Sequence, residues 1–201
     1  MTLGYFIWYK PAFKKQNSTH VFTENITGKT VVTVNVKMQL KAAEIKKYIK
    51  KNKFNSTYCF MIDMNLPSGK KRLFVYNLKK DSVEMAGLVT HGSGSITLKN
   101  ELYFSNIPGS NCTSLGKYKI GNSYQGRFGL AYKLHGLEKS NNKALERFVV
   151  LHGHSCVPLS EVYPLSICPS LGCPTVAPEF LVKLQEYISA SGNPVLLDIY
   201  H

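Results

Sequence analysis

Acidic residues are scarce: 12 Asp and Glu stand against 25 Lys and Arg in 201 residues, leaving a formal charge of +13. Such a surface attracts polyanions over about a Debye length, roughly 8 Å at physiological salt. On charge alone, nucleic acid, anionic lipid and anionic envelope polymers all compete as partners. No zinc-finger spacing, RNP-like aromatic motif or heptad basic region accompanies the charge, so it reads as a solvated basic surface and no nucleic-acid partner is expected. Cysteine is sparse as well. The five at positions 59, 112, 156, 168 and 173 are too few for a disulfide scaffold, and their odd number leaves at least one thiol free for chemistry. Long apolar runs are missing. The run from Met1 to Tyr9 is too short to span a bilayer, which needs about 20 residues, and it lacks the basic start and small-residue cleavage site of a signal peptide. Its aromatic close, followed by Lys10, Lys14 and Lys15, has the form of the trailing end of a membrane anchor; a plain apolar segment is the other reading.

What is present suffices for one domain with a real core. Residues 1–55 read as an N-terminal segment: the anchor-like run, a polar linker over 11–30, and a basic helix over Lys41–Lys53 whose narrow apolar stripe is Ala42, Ala43, Ile45, Tyr48 and Ile49. Residues 56–201 read as the main domain. Short runs rich in β-branched and aromatic residues predict strands over 58–64, 72–78, 85–91, 128–134, 148–152 and 195–200, with Pro67-Ser68-Gly69, Gly92-Ser93-Gly94 and Pro108-Gly109-Ser110 as turns. Helices are expected from Asn141 or Asn142 through Arg147 and over Ala177–Ser189, where Phe180, Leu181, Leu184, Tyr187 and Ile188 recur at helical spacing. The sum is an α+β domain, mainly β, on a mixed or antiparallel sheet with a few short helices.

The chemistry concentrates in Val149-Val150-Leu151-His152-Gly153-His154-Ser155-Cys156 and in Ser170-Leu171-Gly172-Cys173-Pro174. A histidine ending a buried strand and a cysteine preceded by glycine ahead of a helix are the parts of a thiolate nucleophile with its base. Gly172 lets the backbone approach a reacting carbonyl, and main-chain N–H groups at Gly172 and Cys173 are candidates for an oxyanion hole. Spacing alone leaves Cys173 equally readable as a small buried hydrophobe. His152, His154, Cys156, Cys168 and Cys173 are ligand types that zinc prefers, but no Cys-x-x-Cys or His-Glu-x-x-His knuckle fixes them, so neither metal nor cofactor is expected.

The string Arg147-Phe-Val-Val-Leu-His152-Gly153 followed by Ser170-Leu-Gly172-Cys173-Pro174 resembles the signature of the YkuD-type L,D-transpeptidases, in which a His-Gly pair precedes a Ser-x-Gly-Cys box. The likeness is greatest to the murein L,D-transpeptidase catalytic domain branch, through His91-Gly92-Ser93-Gly94, Phe104-Ser105-Asn106, Gly109-Ser110, Ser114-Leu115-Gly116-Lys117-Tyr118, Tyr124-Gln125-Gly126 and Gly136-Leu137-Glu138, over about 58–200. The resemblance implies an L,D-transpeptidase-like mixed β-sheet core and a cysteine acyl-enzyme acting on peptidoglycan stem peptides in the cell envelope. In that reading Cys173 attacks the third, diamino-acid residue of a tetrapeptide stem and expels D-alanine, and His152 is base and then acid. Ser170, Gly172 and Gly153 shape the nucleophile turn, and His91, Ser105, Asn106, Ser114 and Arg147 are candidates for substrate contact.

The widespread form of the box has a second His before Gly-Cys and an Arg soon after. Here Leu171 and Pro174-Thr175 take those places, which leaves the holder of the substrate carboxylate open among Arg147, Arg127 and Lys117. His91, Ser105, Asn106 and Ser114 also read as turn-forming or structural groups, and Cys59 and Cys112 as structural thiols. Cys168, five residues before Cys173, is a potential oxidation partner for it. Two further functions compete with the transpeptidase: an L,D-carboxypeptidase that gives the same acyl group to water, and a non-catalytic wall-binding domain.

Overall fold

The computed structural model describes residues 23–26, 29–32, 36–96, 101–190 and 192–201; the anchor-like run at 1–9 and most of the expected linker lie outside them. At the end of the stretch read as linker and just beyond it, β1 (Thr23–Ile26) and β2 (Lys29–Val32) pair antiparallel as a separate ribbon.

The main sheet has eight strands: β3 (Tyr58–Asp63), β4 (Leu73–Asn77), β5 (Ser82–Gly87), β6 (Gly116–Gly126), β7 (Gly129–Gly136), β8 (Val150–Gly153), β9 (Thr175–Val176) and β10 (Leu196–Tyr200). Their spatial order is β5-β4-β3-β10-β6-β7-β8-β9, parallel at β3/β10 and β8/β9 and antiparallel elsewhere. This is the expected mixed, mainly β core.

The central strands are near-continuous apolar runs because both faces are covered. On one face Phe60 and Ile62 of β3, Tyr118 of β6 and Leu197 and Ile199 of β10 pack with Phe180, Leu181 and Leu184 of α2 (Pro178–Ser189). On the other, Cys59 and Met61 of β3, Phe74 and Tyr76 of β4 and Leu196 and Tyr200 of β10 meet Met38, Ala42 and Ile45 of α1 (Val36–Lys51). The basic helix is therefore packed on the sheet by its apolar stripe. It starts earlier than Lys41 because Met38, buried to 1% exposure, extends that stripe by one turn.

Two expectations fail locally. The 11-residue strand β6 is not among the strands that the sequence predicts; it forms because β7 pairs with it from Tyr118↔Gly136 to Gly126↔Gly129. The helix expected over 141–147 is a series of turns. Asn141 is wholly buried and pins the loop instead of capping a helix: its Oδ1 accepts from Glu138 N–H (2.9 Å) and its Nδ2 donates to the Lys117 carbonyl (2.9 Å). Phe148, at φ +55°, then turns the chain into β8.

These departures position the site. β8 lies between β7 and the two-residue β9, and the connection 154–174 returns along the cleft, stapled across its base by a Cys156–Cys168 disulfide. Cys168 thus pairs with Cys156 rather than with Cys173, and two of the five supposed zinc ligands are not thiols.

Candidate active site

Strand alternation aims the histidine. On β8, Leu151 enters the core, while Val150 and His152 face a cleft of about 670 Å³ that Cys173 also lines. Cys173 ends a turn built by Ser170. The Ser170 N–H donates to the His91 carbonyl (2.9 Å), and its hydroxyl donates to the Cys173 carbonyl (2.6 Å) while accepting the Gly172 N–H (3.2 Å). Gly172 has φ +110°, and a Cβ there would stand 2.9 Å from the Cys112 carbonyl oxygen, so glycine alone fits. The Gly172 N–H is thereby committed to Ser170, contrary to its expected place in an oxyanion hole.

Around the sulfur, the Val150 N–H points at Cys173 Sγ from 3.4 Å, and the Phe148 carbonyl lies 3.7 Å away. Burial pushes the thiol pKa up, opposed by the Val150 N–H and by the charge of Arg147. Burial also holds the His152 pKa below its ordinary value; the Gly153 carbonyl works against this and His154 adds to it. Both shifts favour the thiol and the neutral imidazole over the charged pair.

The tautomer of His152 follows from its partners. The Gly153 carbonyl, 3.1 Å from Nδ1, can only accept, so Nδ1 carries the proton and Nε2 is the basic nitrogen. Thr175 Oγ1 stands 3.0 Å from Nε2 and 3.4 Å from the Cys173 carbonyl, one hydroxyl proton with two acceptors in reach. Thr90 Oγ1 donates to that carbonyl as well (3.1 Å) and accepts from Thr175 N–H (3.1 Å).

The sequence candidates divide. Cys173, His152, Ser170 and Arg147 line the cleft. Gly172 and Gly153 do not line it but neighbour lining residues in sequence, Gly153 with a virtual Cβ 3.0 Å from Pro178 Cα at the start of α2. Arg127 also lines the cleft, whereas His91, Ser105, Asn106 and Ser114 do not. His91 is buried behind the turn that ends at Cys173, its Nδ1 taking a hydrogen bond from Arg72 (2.9 Å). Ser105 Oγ accepts from Ile107 N–H (3.1 Å) in a local turn. Asn106 Nδ2 binds the Lys139 carbonyl (3.0 Å) and Asn142 Oδ1 (2.8 Å). Ser114, 2% exposed, is hydrogen-bonded to the Tyr118 hydroxyl (2.6 Å).

Sequence reading missed Thr90 and Thr175, which carry no motif signal and meet only because distant segments pair. It also missed Phe128, which sits beside the candidate Arg127 at the tip of the β6–β7 hairpin. There Phe128 stacks on His152 with centroids 5.5 Å apart and rings 19° from parallel, and it meets His154 edge-on at 4.9 Å. The two turn residues, Arg127 and Phe128, sit before Gly129, whose φ of +83° is the left-handed value that a G1 bulge requires.

A family model described as L,D-transpeptidase catalytic domain matches residues 30–196. No curated protein matches the chain. Solved structures with some likeness include the helical cell shape determining protein Pgp2 from Campylobacter jejuni (14% identity, 81% of this chain and 55% of that one, TM-score 0.45). An L,D-transpeptidase from Xylanimonas cellulosilytica (16%, 73% and 61%, TM-score 0.40) and Bd1075 from Bdellovibrio bacteriovorus (18%, 72% and 48%, TM-score 0.45) are others. Likeness at that level carries no argument, and the chain spans about half the length of the Pgp2 and Bd1075 chains. The family match alone is decisive: covering 30–196, with the His-Gly and Ser-x-Gly-Cys boxes facing one cleft, it establishes that the chain belongs to the L,D-transpeptidase catalytic domain family.

Proposed function

We propose that the protein is a cysteine-dependent peptidoglycan L,D-transpeptidase that crosslinks stem peptides outside the cytoplasm. The observation that carries this reading is the fixed His152 tautomer in the cleft of Cys173: Gly153 takes the Nδ1 proton and leaves Nε2 basic.

In the acylation half, Nε2 takes the thiol proton and the thiolate attacks the carbonyl of the third, diamino-acid residue of a tetrapeptide stem. The Cys173 N–H is the donor to the developing oxyanion. Collapse breaks the C–N bond to D-alanine, whose amine takes the proton back from Nε2, leaving a thioester on Cys173. In the second half an acceptor side-chain amine attacks the thioester, its proton goes to Nε2, and the returning thiol completes a crosslink between third residues. Thr175 supports the cycle by turning its hydroxyl to the Cys173 carbonyl whenever Nε2 holds a proton.

The disulfide supports an oxidising compartment, since such bonds are rare in the reducing cytosol. Among the described residues no helix is long and apolar enough to cross a membrane, and the anchor-like run lies outside them. The basic surface suits association with anionic envelope polymers.

Product analysis tests the reaction. Tetrapeptide muropeptides alone are expected to give dimers linked through their third residues together with free D-alanine. Tripeptide and D-alanine with no dimer at any acceptor concentration would make the protein an L,D-carboxypeptidase, and no product at all a wall-binding domain.

A further inference from the structure

The cleft is cationic. Arg127 and Arg147 line it, and no Asp or Glu does so among the described residues. A donor stem, on the reading above, ends in a carboxylate one residue beyond the attacked carbonyl, so something cationic must face the leaving D-alanine. Three side chains competed for this role in the sequence, and their surroundings separate them.

Lys117 is spoken for. Its ammonium pairs with Glu138 at 3.0 Å, lies over the Tyr48 ring on the α1 side of the sheet, and does not line the cleft. Arg147 lines the cleft but works as a brace: one guanidinium nitrogen donates to the Ser105 carbonyl (2.9 Å), the other to the Cys112 carbonyl, the same oxygen that crowds Gly172. Spending those bonds on substrate would loosen the turn that holds Cys173. Arg127 differs. It is exposed at the hairpin tip, lies over the Phe128 ring with its guanidinium carbon 5.5 Å from the centroid, and Phe128 in turn stacks on His152. The guanidinium is thus one ring away from the base, carried on a two-residue turn whose backbone Gly129 sets.

We infer that Arg127 is the residue that recognises the donor's terminal carboxylate, the role left open by the absence of an Arg after the Gly-Cys box. Its planar fork is suited to a carboxylate in two-point contact, and the Phe128 face lies beneath it. The hairpin tip is therefore the specificity element for a free C-terminal carboxylate on the leaving residue. The inference rests on the stem-peptide reading of the site, and its test is arranged to be independent of turnover.

Binding of a stem tetrapeptide ending in D-alanine, and of the same peptide as its C-terminal carboxamide, is measured by calorimetry in the Cys173→Ala background, which cannot acylate. With Arg127 present, the carboxylate form is expected to bind at least about tenfold more tightly than the amide, the scale of one charge-assisted hydrogen bond. Arg127→Ala should erase that preference, Arg127→Lys should restore part of it, and Arg147→Ala should weaken both peptides alike. A carboxylate preference that survives Arg127→Ala overturns the inference, as does equal binding of both peptides to the Arg127 protein. Failure of the reaction itself shows separately, as absence of D-alanine release by the wild-type protein.

Discussion

His152 Nε2 and Thr175 Oγ1 lie 3.0 Å apart across the parallel pairing of β8 and β9, which sets these two residues side by side in register. Because Nδ1 is protonated against Gly153, the hydroxyl donates to Nε2 and so stabilises the neutral ring. Thr175→Val keeps the shape at a buried position and removes that donor. The His152 pKa, followed by NMR titration of its ring protons, should rise relative to wild type, with turnover reduced by about tenfold or less. An unchanged titration contradicts the assignment of Thr175 to the base.

The resting pair is predicted to be neutral. With the Cys173 thiol pKa raised by burial and the His152 pKa lowered, thiolate is rare at neutral pH and its fraction grows as pH rises. Iodoacetamide alkylation mapped to Cys173 should therefore keep accelerating beyond the pH at which an exposed thiol levels off. A rate that plateaus in the acidic range indicates a thiolate–imidazolium pair instead.

Thiol counting checks the staple. Cys59 and Cys112 are buried and Cys173 lines the cleft, so a thiol reagent should react readily with one cysteine in the native protein, three after denaturation, and all five after denaturation and reduction. Closing a loop over a separation of 12 residues is worth about 3 kcal/mol in the chain-entropy view, so Cys156→Ser with Cys168→Ser should lower Tm and loosen the loop that carries Ser170. Five reactive thiols in the denatured, unreduced protein would refute the bond.

His91 gives a pH signature. Burial, aided by the Arg72 guanidinium at 2.9 Å, pushes its pKa down to about 4. Between about 6.5, the ordinary value, and 4 the unfolded chain binds a proton that the folded one refuses. Stability from this group is thus full above that window and lost as pH falls through it. Thermal unfolding of His91→Gln should show a shallower loss from pH 7 to pH 4.5 than wild type; an identical slope contradicts the burial account.

Much of this site was legible because its residues are local in sequence. A histidine ending an apolar run and a glycine-cysteine box before a helix mark candidate chemistry within a few positions, and the structure sets both on one cleft. What was illegible depends on contacts across long separations. Thr90 meets the Cys173 carbonyl over a gap of 83 residues, and Arg147 reaches Ser105 over 42. Strand β6 was hidden by its glycines, which its pairing with β7 overrides. His91 and Ser114 carried motif resemblance but are buried as structural hydrogen-bonding groups, a distinction that burial decides and sequence does not show.

Gly172→Ala probes the turn without touching a reacting atom. At φ +110° the substitution is strained by about 1–3 kcal/mol, and its Cβ would press on the Cys112 carbonyl at 2.9 Å. Turnover should fall far more than Tm, because the displaced segment carries Cys173 itself. Wild-type turnover in a folded Gly172→Ala protein contradicts the tight-turn account.

The most direct measurement is the intact mass of the protein a few seconds after mixing with stem tetrapeptide. The account predicts an added tripeptide acyl group on the peptide containing Cys173, one equivalent of D-alanine released with it, and neither in Cys173→Ala. His152→Ala should form the adduct about a hundredfold to ten-thousandfold more slowly. D-alanine release that persists in Cys173→Ala would contradict the central claim.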